Sequence, residues 1–471
     1  MSSPLRTLAL LVLWSSALAP GFRSAALPED ATGDGRVDVH DAAYALRQVL
    51  GLSSLSSLSA PPLSRRSLLP WAGGDAVGIG LPDVATIAAL EGLGHAFDAN
   101  ADRAAADLIR HYWVGNEDSG HILPTRDGYA TTEPPNGYLW ESAQMLCVLE
   151  NLYQTSHSPS LLRRLRSQWA FLRERFGVQR MASVGEGSAN GWSDDAGWSA
   201  LMLLSFHRSL GDDDALKAAG ELVRNAVARW EDTTTGGLWY RDNHREKASY
   251  QASVILAAVR LYELTGDRFY WDRAVALADW VETALLRPDG LYYVEADRRG
   301  PRRNDRPPEQ GSSDTFLGGN MAMGVVYARL YRDSGDARYR QRALRVAAAI
   351  LAVETTPDGV YLNDRDAWTN GFFMGEWAAE VLPLPGLGAE HRQAMRRSAL
   401  SIAANARTED GYYSPCWSGP AEGAGCGWSR SPANVRPQQL TVSANTVNVL
   451  AAAAAIGRRT PAPTRRAPAM P

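Results

Sequence analysis

The sequence lacks an excess of basic residues. Its 48 Lys and Arg are balanced by 52 Asp and Glu, and the formal net charge is -4. A protein that binds nucleic acid needs clustered positive charge to neutralise phosphates. This composition therefore argues against a nucleic acid partner, while 45% hydrophobic and 21% charged residues are typical of a globular protein.

Cysteine is scarce, with three residues in the chain. Their spacing does not match a zinc site. Cys416 and Cys426 flank a stretch rich in Gly and Pro, in which we expect a disulfide if the chain is exported. Cys147 lies in an apolar run, and we expect it to be a buried free thiol.

Long apolar runs are also missing after the N-terminus. Residues 1–26 combine one Arg, an apolar run and small residues, which is typical of a signal peptide, with a retained anchor as the alternative. No later run reaches the roughly 18 apolar residues that a membrane span needs. We therefore expect a secreted protein, extracellular or periplasmic.

Aromatic residues are plentiful, in contrast. The chain has 15 Trp and 17 Tyr, and many stand beside Gly, Asn and Asp. Flat rings that are apolar on their faces and polar at their edges suit stacking on sugars.

A calcium signature appears near the N-terminus. Residues 30–41 read "DATGDGRVDVHD", with Gly35 at the sixth position, where a calcium-binding loop turns sharply. An apolar helix pattern follows the loop, and in a weaker copy of the unit Asp83 again stands before an apolar helix pattern. The expected ligands are residues of this loop, and Arg36 is included for its position in the loop, not for its side chain. They are Asp30, Thr32, Asp34, Arg36, Asp38 and Asp41.

Two such units in tandem resemble a dockerin module over residues 28–94. The first repeat fits well, and the second has lost most ligands. The resemblance implies a structural Ca²⁺ and a cohesin-type protein partner. The alternative is an Asp- and Gly-rich turn that caps a helix.

The rest of the chain repeats one unit six times. Each unit has a turn that ends in glycine, then an almost wholly apolar helix, then an amphipathic helix. We therefore predict an all-α fold, an (α/α)6 barrel over residues 98–457, whose six inner helices begin at one rim. The opening helix is expected to complete the outer ring, and residues 458–471 form a Pro- and Arg-rich tail, expected to be disordered. The turn glycines are Gly128, Gly187, Gly237, Gly290, Gly359 and Gly411.

Two adjacent aspartates, Asp194 and Asp195, open the second predicted inner helix in "NGWSDDAGWSALMLL". A helix cap explains one of them. Two neighbouring carboxylates at an apolar rim repel each other, so one keeps its proton more tightly than the other. This division of states is what a retaining glycosidase requires.

Three stretches carry a family resemblance: "SDDAGWSAL", "ARWEDTTTGGLWY" and "EKASYQASVILAAVRLYELTGDRFY". In this order they resemble glycoside hydrolase family 76, α-1,6-mannanases with an (α/α)6 barrel. The resemblance covers residues 98–457. It implies that Asp194 is the nucleophile and Asp195 the general acid/base, with retention of configuration and no catalytic cofactor. The implied substrate is a mannan-type polysaccharide, and we expect a monomer.

Further side chains near the predicted rim are candidates for substrate binding. The chain departs from the family where it has Lys247, Ala248 and Gln251 in place of a Lys-Asn stretch, and where "GGNMAMG" keeps only Asn320 and Gly324 of the expected run. The full set of candidates is Trp140, Glu141, Trp192, Trp239, Tyr240, Lys247, Gln251, Asn320 and Trp368, with Tyr293 beside them.

Two other functions remain open from the sequence. The barrel could bind a glycan without turning it over, or it could hydrolyse a different glycan. Sugar epimerases of similar architecture are disfavoured, because no pair of histidines stands at the starts of the inner helices.

Overall fold

The computed structural model describes residues 84–124, 135–183, 191–297, 300–301, 315–363, 369–418 and 438–458. The chain divides into two compact units between Ala96 and Phe97. The predicted signal peptide, calcium loop and tail lie outside the described residues. The apolar helix predicted to follow Asp83 begins at Val84.

Helices make up most of the described residues. In chain order they are α1 (Val84–Tyr112), α2 (Pro135–Ser156), α3 (Pro159–Arg175), α4 (Val178–Ala182), α5 (Ser193–Leu210), α6 (Asp213–Trp230), α7 (Ala252–Thr265), α8 (Arg268–Ala284), α9 (Leu317–Ser334), α10 (Ala337–Val353), α11 (Met374–Glu376), α12 (Ala389–Asn405) and α13 (Leu440–Arg458). A 3-10 turn, Ser249–Gln251, precedes α7, and a π-helical turn, Trp377–Val381, extends α11.

Short strands lie in two small antiparallel sheets. Strands β1 (Trp113–Val114) and β2 (His121–Ile122) pair as a hairpin. Strands β3 (Glu246–Ala248), β4 (Glu295–Asp297) and β5 (Gly300–Pro301) form a three-stranded sheet in that order. The register places Lys247 opposite Ala296.

The predicted alternation of inner and outer helices is confirmed. Every residue of α9 from Leu317 to Leu330 is buried, whereas α10 buries only one stripe. The inner elements α2, α5, α7, α9, α11 with its π turn, and α13 contact one another in order, and α13 contacts α2. They therefore close a ring, and the fold is an α/α barrel as the sequence predicted.

The opening helix α1 reaches the start of the last inner helix. The Tyr112 hydroxyl donates to the main-chain oxygen of Gln438, at 3.1 Å. Arg407, which follows α12, donates from Nε to Asp107 Oδ2 of α1 at 2.7 Å. These contacts place α1 where the sequence expected it.

Glycine and aspartate mark three of the connectors from an inner to an outer helix. The inner helix ends at a glycine in the left-handed region, and the next residue is an aspartate that accepts an amide of the first turn of the outer helix. Asp213 and Asp214, by contrast, are exposed, as expected for this side of the barrel. The glycine–aspartate pairs are Gly211–Asp212, Gly266–Asp267 and Gly335–Asp336.

The glycine turns of the opposite rim also repeat. Four of the six predicted turns lie among the described residues, and their glycines have φ of 74°, 91°, 74° and 85°, which side chains rarely adopt. Each of these four turns is closed by an isolated antiparallel bridge, so the chain enters α7, α9, α11 and α13 in the same way. The bridges are Glu231 to Leu238, Leu286 to Tyr292, Thr355 to Tyr361 and Arg407 to Tyr413.

The fifth inner element, which the sequence pattern predicts over residues 368–382, is shorter in the structure, where α11 covers Met374–Glu376 and its π turn covers Trp377–Val381. A Cβ on Gly371 would lie 2.0 Å from the main-chain oxygen of Asn445 in α13. The turn at residues 369–373 therefore packs backbone against backbone, and helix begins only at Met374. Pro383 follows soon after the π turn, and its ring cannot continue a helix.

A buried ion cluster joins the inner helices away from the rim of glycine turns. Arg329 donates to Glu376 at 3.1 Å and to Glu263 at 2.7 Å, and Arg260 donates to Glu376 at 3.1 Å. Burial alone raises the pKa of Glu376, but the two guanidinium groups outweigh it and hold that pKa below its usual value. The cluster fixes α7, α9 and α11 relative to one another.

Within the described part of the chain, none of the helices has the length and apolar character required to cross a membrane.

Candidate active site

Asp194 and Asp195 lie in the first turn of α5, at the rim of glycine turns. Asp194 is buried, with 6% of its surface exposed, and Asp195 is half-buried. The cap position of α5 is occupied by Trp192, which makes no side-chain cap bond. Neither aspartate is therefore the cap residue, in contrast to Asp212 at the start of α6, which caps through its side chain.

The surroundings of Asp194 and Asp195 favour different protonation states for the two carboxyl groups. Burial, and then the neighbouring Asp194 carboxylate, raise the pKa of Asp195 well above its ordinary value. Asp194 Oδ2 accepts a hydrogen bond from Trp198 Nε1 at 3.4 Å, and its main-chain oxygen accepts from Ser253 Oγ at 3.3 Å. Asp195 can thus hold a proton beside an anionic Asp194.

The segment that leads into α5 is fixed by a neighbouring turn. Ser193 N donates to Tyr240 O at 3.0 Å, and Trp192 forms an antiparallel bridge with Arg241. The approach to the aspartate pair is therefore set by residues that follow α6 in the chain.

An aromatic row runs along the rim from the aspartate pair. We use this name for Trp192, Tyr240, Tyr250 and Phe316. Successive ring centroids are 4.7, 5.6 and 4.4 Å apart. The first three rings are half-buried, and Phe316 is buried. Trp192 and Tyr240 were predicted, whereas Tyr250 and Phe316 were missed because neither stands beside a glycine turn.

Arg241 covers part of this row. Its guanidinium carbon lies 3.4 Å from the centroid of the Trp192 ring, as a cation–π contact. The half-exposed rings of Tyr240 and Tyr250, which are stacked at 14°, extend the surface beyond it. The row thus places aromatic side chains beside the segment that leads into α5, the helix that carries the two carboxyl groups.

Lys247 stabilises the turn that contains Gly237. It is 5% exposed, and its ammonium donates to Asp232 Oδ2 at 2.8 Å, to Thr235 Oγ1 at 2.7 Å and to the main-chain oxygen of Gly236. An ammonium has three N–H donors, so all of them are used. It also lies 4.5 Å from the ring centroid of Trp239, which is itself buried. Lys247 therefore supports the turn, and its role in substrate binding, like that of Trp239, stays a prediction.

Gln251 and Asn320 serve the glycine turns in the same way. Gln251 Oε1 accepts from Leu238 N at 3.1 Å, and Asn320 Oδ1 accepts from Tyr292 N at 2.9 Å. Both side chains are 1% exposed. Each one satisfies an amide just after a turn glycine, so their position at an inner helix start has a structural cause.

The other residues predicted to bind substrate differ in how far they are buried. Trp140 is half-buried in α2, and Glu141 beside it is fully buried. Tyr293 is 7% exposed, and Arg287 lies 5.3 Å from its ring centroid. Trp368 lies outside the described residues.

Two of the three cysteines lie among the described residues. Cys147 is a free thiol, as expected, but it is half-buried rather than buried, and it donates from Sγ to the main-chain oxygen of Phe372 at 3.2 Å. Cys416 is buried, whereas Cys426 lies outside the described residues. Their disulfide stays a prediction.

The calcium ligands predicted at residues 30–41 also lie outside the described part of the chain. Within that part, no group of three or more His, Cys, Asp and Glu side chains could hold a metal ion.

A ring of paired helices with two adjacent carboxyl groups at one rim is the arrangement expected of an α/α-barrel glycosidase. The chain belongs to glycosyl hydrolase family 76, whose family model matches residues 96–374. A comparison with curated proteins finds no match.

Solved structures share the fold. The α-1,6-mannanase GH76A of Salegentibacter sp. HEL1_6 is 19% identical over 76% of this chain and 99% of that chain, with a TM-score of 0.60. The family 76 mannosidase Bt3792 of Bacteroides thetaiotaomicron VPI-5482 is 16% identical over 77% and 99%, with a TM-score of 0.59. An unsaturated glucuronyl hydrolase specific for heparin also matches, at 14% identity over 76% and 97% and a TM-score of 0.51. The same helical ring therefore carries different glycan chemistries.

Proposed function

We propose that the chain is a secreted, retaining endo-α-1,6-mannanase that acts on mannan-type polysaccharide. The observation that carries the proposal is the aspartate pair, with Asp194 buried and the pKa of Asp195 raised by burial and by its neighbour. A variant of the Salegentibacter mannanase in which two aspartates next to each other are asparagine is described as inactive, in complex with α-1,6-mannotriose. This supports a catalytic pair and a mannan substrate here.

In the first step Asp195 gives its proton to the glycosidic oxygen, and that oxygen leaves with the bonding electrons. Asp194 attacks the anomeric carbon from the opposite face and forms a glycosyl ester. In the second step the Asp195 carboxylate takes a proton from water as the water attacks the anomeric carbon. The ester bond breaks, Asp194 returns as an anion, and two inversions give retention.

The test is hydrolysis of linear α-1,6-mannan beside a panel of unrelated glycans. We expect new reducing ends from the mannan, with the α-anomer formed first in the NMR spectrum. A barrel that only binds glycan would be retarded in an affinity gel containing mannan yet release nothing. Release from another glycan alone, or a first product with the β-anomer, would contradict the proposal.

The aromatic row should act mainly in substrate binding. Tyr250→Ala should raise KM for mannooligosaccharides about tenfold and change kcat little, since a lost stacking contact of about 1.4 kcal/mol corresponds to that factor. Tyr262→Ala is the matched control, because Tyr262 is half-buried in α7 and packs on Trp271 at the connector side. Steady-state kinetics that showed equal KM values for the two variants would remove the row from the binding site.

The N-terminal region should bind one calcium ion through the loop at residues 30–41. Because this region resembles a dockerin, its proposed protein partner is of the cohesin type. Isothermal titration of the full chain should show about one site, and Asp34→Ala should abolish it, since that side chain is a loop ligand. Asp213→Ala, which removes an exposed aspartate at the connector side, should leave it intact. Unchanged uptake by the Asp34 variant would mean that the loop is only a turn.

A further inference from the structure

Asp242 has an unusual set of contacts near the aspartate pair. Its Oδ1 accepts from Arg229 Nε at 2.7 Å and from Trp230 Nε1 at 2.8 Å. Its Oδ2 accepts from Arg229 Nη2 at 2.7 Å and from the main-chain amide of Gly191 at 3.1 Å. One carboxylate therefore joins two separate segments of the barrel.

The first segment is the end of an outer helix. Arg229 and Trp230 are the last two residues of α6, and Trp230 is 1% exposed. The paired hydrogen bonds from a guanidinium fix the carboxylate in position and plane. Asp242 is thus held by the body of the barrel.

The second segment leads to the aspartate pair. Gly191 stands two residues before Ser193, the first residue of α5, and three before Asp194. Residues 240–242 join residues 191–193 through Tyr240 O, the Arg241 bridge and the Asp242 carboxylate, beside the ring contacts of Trp192 with Arg241 and Tyr240. Of the three polar contacts, the one with Asp242 is made by a side chain.

We propose that Asp242 is a positioning residue, which fixes the start of α5 and thereby the placement of Asp194 and Asp195 for glycosyl transfer. This rests on the proposed function. Displacement of a reacting group by about 1 Å can cost two orders of magnitude in rate. The hydrogen bonds from Arg229 lower the pKa of Asp242, so that it remains an ionised acceptor over the working range of pH.

The test is Asp242→Asn, which has nearly the same shape. In either orientation its amide nitrogen faces an N–H of Arg229, together with the Trp230 indole in one orientation and the Gly191 amide in the other. A donor against a donor breaks the paired contact with Arg229, so the side chain no longer holds Gly191 to the end of α6. We expect kcat on mannan to fall by about 10- to 100-fold while KM stays within about twofold, because placement of the carboxyl groups affects the reaction more than binding.

Trp230→Phe is the matched control. It removes one donor to the same carboxylate and leaves the Gly191 contact in place, so it should lower the unfolding temperature but keep kcat within about twofold. Both variants are assayed well below their unfolding temperatures. Equal kcat values for the two would overturn the proposal. If the asparagine variant did not fold, Arg229→Lys should give the same selective loss of kcat, since it breaks the paired bonds.

A second measurement does not depend on turnover. Hydrogen exchange of the Gly191 amide should become faster in Asp242→Asn and stay unchanged in Trp230→Phe. If the wild type hydrolysed no glycan, the proposed function would fail, while this exchange would still show whether Asp242 fixes the segment. Unchanged exchange in the asparagine variant would contradict the positioning role even in an active enzyme.

Discussion

Asp194→Asn should reduce turnover on every substrate by about 10⁴-fold or more, because an amide cannot form the glycosyl ester. The asparagine still fits the first turn of α5 and can still contact Trp198, so the fold should persist. Circular dichroism and the unfolding temperature check this, and reducing-end release from mannan measures the loss. Asp213→Asn changes an exposed aspartate on the connector side and should have no effect.

Azide distinguishes the nucleophile from the acid/base residue. In Asp194→Ala, azide can enter the space of the missing carboxylate and attack an activated aryl α-mannoside directly, which gives the inverted glycosyl azide. In Asp195→Ala, azide attacks the glycosyl ester already formed on Asp194, which gives the retained product. The reverse pattern of products would exchange the two roles. Near wild-type turnover in both alanine variants would leave the pair with a structural role only.

The barrel could be predicted because its repeat is local. Each unit contains a turn glycine, an almost wholly apolar helix and an amphipathic one, and these features can be read within about 60 residues. In the four described turns the glycine adopts positive φ. The short fifth inner element could not be predicted in this way. Its length is set by the approach of Gly371 to α13, and a contact between segments so far apart in sequence leaves no local pattern.

The residues predicted to contact substrate show that a position at the rim does not by itself identify a binding residue. Lys247, Gln251 and Asn320 do lie at or before inner helix starts, yet their polar atoms bind the turns beside them. A turn exposes amides and carbonyls that need partners, and the nearest side chains supply them. Position alone therefore could not distinguish a residue that supports a turn from one that faces a ligand.

Asp242 was not predicted from the sequence, because its local context is misleading. In "WYRDNHREK" it lies among charged residues that look like an exposed turn. Its role depends on Gly191, Arg229 and Trp230, of which only the last two are nearby in sequence. Tyr250 and Phe316 of the aromatic row were also not predicted, because their stacking joins segments that are separate in the sequence.

Asp195→Asn should separate the two chemical steps. Hydrolysis of mannan should fall by roughly 10²- to 10⁴-fold, since its leaving oxygen needs a proton. An aryl mannoside with a good leaving group needs no such proton, so the glycosyl ester on Asp194 should still form rapidly. It should then accumulate, because water lacks its base, and a burst of aryl product followed by a slow rate would be seen. The same ester should be detectable by intact-mass spectrometry.

The pH profile gives an independent test of the same assignment. The first step needs protonated Asp195, so activity on mannan should fall as pH rises through the pKa of that residue. Burial and the Asp194 carboxylate raise this pKa, so the alkaline limb should lie well above the range of an ordinary aspartate. In Asp195→Asn the burst on the aryl mannoside should lose this limb, because the titrating proton is gone. A limb that persisted at the same pH would assign the proton to another group and remove Asp195 from the role of general acid.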